Sequence, residues 1–92
     1  MLTYFLGGKP KEMLLSEIEQ RLTKTFHNVF GDDALVLNPS MTAADVEGWD
    51  SLTHVRLLLT VDREFRIRIT ASEAGKLQTV GDLMKLIESK AG

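Results

Sequence analysis

The residues able to do chemistry are few and lie close together: Asp50, Ser51 and His54, with a second histidine, His27, well upstream. A hydroxyl near an imidazole and a carboxylate suggests nucleophilic acyl transfer. On one helix, however, Ser51 and His54 sit about one turn apart with both side chains projecting outward, and an acyl-transfer site also needs an oxyanion hole and a substrate cleft. His54 reads more simply as a partly buried surface histidine. His27 has no evident partner and reads as structural or solvated. A metal site built on these two histidines needs further ligands that spacing does not identify. The 92-residue chain contains no cysteine, so it has no thiolate nucleophile, disulfide or thiolate metal site, and a reducing cytosol is its natural compartment. Any thiol chemistry must come from an added group.

Ser51 has a different capability. A serine in the first turn of a helix lies where unpaired N–H groups and the positive end of the macrodipole favour a phosphate. Asp50 before it is a good N-cap whose carboxylate can accept the Thr53 N–H, and Trp49 can close the corner as part of a hydrophobic staple. A serine there is also an ordinary way to start a helix, so position alone leaves both readings open.

The elements that must hold this corner follow from periodicity. Pro10 suits a first helical turn, and Leu15, Ile18, Leu22, Phe26, Val29 and Phe30 recur at three- and four-residue steps up to Gly31. From Gly31 to Asp50 the pattern breaks into a long loop, with Leu35, Val36, Leu37, Met41 and Val46 as apolar anchors. Its charged residues, Asp32, Asp33, Asp45, Glu47 and Asp50, are all acidic. A helix over Ser51 to Phe65 follows, then a short extended link pointing Ile67 and Ile69 inward, and a brief helical turn capped by Ser72 and running through Lys76. Thr79 caps the last helix with Asp82 at its third position, and Val80, Leu83, Leu86 and Ile87 form its buried face. The expected fold is all-α, a bundle of three main helices and one short one.

The second helix carries two apolar stripes. Leu57, Leu58, Val61 and Phe65 cluster between about 140° and 240° on a helical wheel, and Leu52, Val55 and Leu59 between about 300° and 360°. A domain this small needs one face for its core. The second stripe is then exposed beside Ser51 as a partner surface, unless the first helix and the loop bury both. Arg56 and Arg63 border it, and residues 51 to 68 carry a net +2.

Composition limits the rest. With 43% hydrophobic and 26% charged residues, the chain describes one domain near the low end of independent stability. Eleven Lys and Arg against thirteen Asp and Glu give a net charge of -2, which argues against nucleic acid as a partner. No run approaches the roughly 18 apolar residues of a membrane span, so membrane insertion is not expected. Met1 to Leu6 is apolar but lacks the basic n-region and length of a signal peptide, and residues 1–8 read as a loose extension before a domain over 9–92.

The segment Val46-Glu47-Gly48-Trp49-Asp50-Ser51-Leu52 resembles the signature of acyl carrier proteins. The likeness continues through Leu57, Leu58, Val61, Glu64 and Phe65, then Ile67, Ile69, Glu73 and Thr79 to Leu83, and covers about Glu12 to Ser89. It implies a cytoplasmic, four-helix carrier with no catalytic residues of its own. By resemblance, 4'-phosphopantetheine from coenzyme A attaches to Ser51, flanked by Asp50 and Leu52, through a phosphopantetheinyl transferase. Leu52, Val55, Arg56 and Leu59 map onto the partner-recognition helix, whose partners are acyl-activating ligases, acyltransferases or synthases met by a monomer. The resemblance leaves fatty acyl, polyketide, aminoacyl and hydroxylated cargo open. Arg56 stands where an acid is common in the family, which implies a specialised carrier. An unmodified helical adaptor using the same stripe is the alternative.

Overall fold

The computed structural model describes residues 14–91, and the expectations for residues 1–8 and Pro10 lie outside them. Four helices are formed among these residues: α1 (Leu15–Phe30), α2 (Ser51–Phe65), α3 (Ala71–Ala74) and α4 (Val80–Ala91), with a 3-10 turn at Ala43–Asp45 inside the long loop. The described part of α1 starts at Leu15, where the Glu17 carboxylate accepts the Leu14 N–H at 3.0 Å and Leu14 itself is extended. It ends at Gly31, which takes a left-handed conformation at φ 65° so that its N–H reaches the His27 carbonyl. Glycine meets that requirement without a Cβ clash. Arg66 does the same work at the end of α2 with φ 56°, a conformation that disfavours a side chain.

The core follows the apolar periods. Ile18, Leu22 and Phe26 of α1 meet Leu57, Val61 and Phe65 of α2 and Val80, Leu83, Met84 and Ile87 of α4, all buried in one cluster with Leu37 of the loop. Met84 joins this face and Leu86 is only half-buried, a rotation of the expected α4 face by part of a turn. α1 packs against both α2 and α4. At the α1–α2 seam, Arg21 lies over the Phe65 ring at 4.6 Å and pairs with Glu64 at 3.0 Å.

Three local readings are corrected. Val36 is 79% exposed and anchors nothing, because neighbours alternate along extended chain and Leu35 and Leu37 take the inward positions. Thr70, not Ser72, caps α3: its Oγ accepts the Glu73 N–H at 3.1 Å and Glu73 accepts the Thr70 N–H at 2.9 Å, so the helix starts at Ala71 and ends at Ala74. His27 has a partner, its Nε2 donating to the Leu35 carbonyl at 2.7 Å. Ile67 and Ile69 pack on the core as the alternation requires.

Candidate functional site

The corner at Asp50-Ser51 is built by interactions within seven residues, Gly48 to His54. Asp50 Oδ1 accepts the Thr53 N–H at 3.0 Å, and Thr53 Oγ accepts the Asp50 N–H at 2.7 Å, closing a reciprocal cap. The Thr53 hydroxyl donates to the Gly48 carbonyl at 2.7 Å, which ties the turn before the helix to its first turn. The Thr53 N–H, foremost, holds the Asp50 carboxyl below the ordinary aspartate range. Trp49 stacks on His54 with ring centroids 6.0 Å apart, and its Nε1–H donates to His54 Nδ1 at 3.0 Å. These are the two positions that a staple joins, here with aromatic rings. Trp49 also meets Phe26 edge-on at 5.4 Å, fastening the corner to the core.

Ser51 is the first residue of α2 and exposed, and its hydroxyl has no hydrogen-bond partner among the described residues. Leu52 beside it is 72% exposed. Asp50 is committed to Thr53 and His54 to Trp49, so neither is aligned on Ser51 as a catalytic base system would be. A cavity of about 60 Å³ flanks this half of α2, walled by Trp49, His54, Leu58, Leu77, Thr79 and Leu83. Substrate pockets of enzymes run to several hundred Å³. The corner thus presents an exposed hydroxyl at the head of a capped helix, with the Asp50 carboxylate and the His54 imidazole turned to other partners.

The second apolar stripe is exposed. Val55 at 54% and Leu59 at 57% continue from Leu52 along the outer face of α2, with Arg56 and Arg63 exposed beside them, while Leu57, Val61 and Phe65 are buried on the other side. The alternative in which both stripes are buried does not occur. Among the described residues no three metal-ligating side chains gather, and no described helix is long and apolar enough to cross a membrane. Sequence reading missed the Thr53 hydroxyl, which closes both the cap and the turn; a threonine three residues after an N-cap aspartate is its local signal.

No protein-family model matches the chain. A holo acyl carrier protein from Geobacter metallireducens, solved in solution by NMR, is similar in structure with a TM-score of 0.76 and 37% sequence identity, the match covering 79% of this chain and 84% of that one.

Proposed function

Because the chain belongs to the acyl carrier protein family, we propose that it carries acyl groups as thioesters on a 4'-phosphopantetheine arm attached to Ser51, with residues 9–92 as the carrier domain. The observation that carries this reading is the exposed, unbonded Ser51 hydroxyl at the head of a 15-residue capped helix. The residues fit the group. The positive end of the α2 macrodipole favours a phosphodiester there, beside the Asp50 carboxylate that already accepts the Thr53 N–H.

The division of labour follows from the chain's own groups. Ser51 Oγ would lose its proton and bond to the pantetheine-side phosphorus of coenzyme A as the pyrophosphate P–O bond breaks and adenosine 3',5'-bisphosphate leaves, with a phosphopantetheinyl transferase as the catalyst. When attached, the arm supplies the thiol that a cysteine-free chain lacks. The Asp50–Thr53 cap and the Trp49 staple fix the base of the arm, so that its reach is set by the arm and not by loop motion. Leu52, Val55, Arg56 and Leu59 form the face on which partner enzymes dock, transiently, since the carrier leaves each enzyme for the next. Tethering raises the effective concentration of the acyl group at each docked enzyme. Catalysis belongs to those enzymes: acyl-activating ligases, acyltransferases or synthases of the cytoplasm.

Intact-protein mass after incubation with coenzyme A, magnesium and a promiscuous phosphopantetheinyl transferase tests this reading. Wild type gains one phosphopantetheinyl group, and Ser51→Ala, which removes no hydrogen bond of the fold, gains none. A folded wild type that stays unmodified overturns it in favour of the unmodified adaptor.

A further inference from the structure

The exposed face of α2 carries positive charge that no described residue neutralises. Leu52, Arg56, Leu59 and Arg63 follow one another at four-, three- and four-residue steps, a stripe roughly 60° wide with Val55 at its side. The two acids of α2 are engaged elsewhere: Glu64 pairs with Arg21 at 3.0 Å, and Asp62 Oδ1 accepts the Ile69 N–H at 3.1 Å. Arg56 and Arg63 have no such partner among the described residues, nor do Arg66 and Arg68 just beyond the helix. Around Ser51 the charge is opposite, with Asp45, Glu47 and Asp50 exposed. The face therefore has a direction, acidic at the serine and basic one turn further on.

We infer that this face docks a protein whose contact surface is an apolar patch rimmed by carboxylates, oriented so that the carboxylates meet Arg56 and Arg63 and lie away from Ser51. The inference rests on the carrier reading for the partner being an enzyme that works on the arm; the chemistry of the face stands apart from it. An anionic lipid surface also offers negative charge, but spreads it evenly and brings it onto Glu47 and Asp50 as well. A second copy is a poor occupant too. Three aliphatic side chains fall far short of the roughly 800 Å² that each partner of a stable complex covers.

The stripe from Leu52 to Arg63 is about 17 Å long, so a three-turn helix spans it. Two synthetic helical peptides with the same leucine face, one rimmed with Glu and one with Lys, are titrated into the full chain unloaded at Ser51, with amide chemical shifts as the readout. The Glu peptide binds at least about ten-fold more tightly at low salt, perturbs residues 52 to 63, and loses its advantage toward 1 M salt. R56E/R63E reverses the preference, and R56Q/R63Q abolishes it. Equal or tighter binding of the Lys peptide, binding of neither, a preference that survives R56E/R63E, concentration-dependent self-association through the same residues, or the same shifts with anionic vesicles each overturn the inference. Failure of Ser51 to take up the arm in the mass experiment removes the carrier reading and leaves the peptide result standing.

Discussion

The indole N–H of Trp49 points at His54 Nδ1 from 3.0 Å, which places the imidazole proton on Nε2 and makes the ring an acceptor at the head of α2. Trp49→Phe keeps an aromatic ring against Phe26 but strands that acceptor in a half-buried site, at a cost of about 1 kcal/mol. Pairing it with His54→Phe removes both polar partners, so the double variant loses less than the two single losses added together. Urea unfolding followed by circular dichroism checks this, since the chain has one tryptophan and the substitution removes its fluorescence; strictly additive losses would show that the bond contributes nothing. The Asp50 cap and the Trp49 staple were legible in the sequence because both join residues only three to five positions apart. His27 was not, because its acceptor is the carbonyl of Leu35, eight residues away on a loop whose path periodicity does not describe.

The starts of α2, α3 and α4 rest on paired hydroxyl and carboxylate groups, and that makes them sensitive to acid. At α4 the Thr79 Oγ accepts the Asp82 N–H at 3.1 Å, while Asp82 Oδ2 accepts the Gln78 and Thr79 N–H groups at 3.1 and 3.2 Å. Those two backbone donors, Gln78 first, hold the Asp82 carboxyl below its ordinary range, as the Thr70 N–H and then Lys90 do for Glu73. A carboxylate depressed in the folded state contributes all its stabilisation above its unfolded pKa, about 3.9 for Asp and 4.3 for Glu, and loses it as pH falls through the lower folded value. The urea midpoint should be level near neutrality and fall below about pH 4. Asp82→Asn lowers it at pH 7 and changes it far less at pH 3, so the two curves converge in acid; curves that stay parallel would mean that the charge of Asp82 plays no part. The Thr79–Asp82 start was readable from its spacing. The start of α3 was misplaced by two residues because a single turn has no periodicity to anchor a boundary, whereas the end of α2 at Phe65 was read correctly from the apolar period although arginine stands where glycine is the usual signal.

At the scale of the whole chain, the position of Ser51 depends on how the long loop is fastened, and α4 does much of the fastening. The Val80 N–H donates to the Met41 carbonyl at 2.9 Å and the Gly81 N–H to the Pro39 carbonyl at 2.8 Å, so the first turn of α4 is completed by the loop. Leu37 and Val46 bury themselves on either side of this suture, and the loop then runs to Trp49 and the corner. A Cβ on Gly81 would stand 2.9 Å from the Pro39 carbonyl oxygen and 3.2 Å from its Cβ. In a free helix Gly→Ala gains up to about 1 kcal/mol. Here the obstacle is backbone, which no side-chain rotation clears, and overpacking of this kind costs about 1–3 kcal/mol. Gly81→Ala is therefore expected to destabilise, whereas Gly75→Ala, in a right-handed conformation with no atom closer than 3.6 Å to the new carbon, is expected to be neutral or stabilising. Hydrogen exchange locates the effect: in Gly81→Ala the amides of residues 80 and 81 lose protection before those of Leu57 and Val61, because the suture opens while the α1–α2 core holds. A stabilised Gly81→Ala would instead mean that the loop shifts freely over α4, and that the corner at Ser51 is held by Trp49 and the core alone.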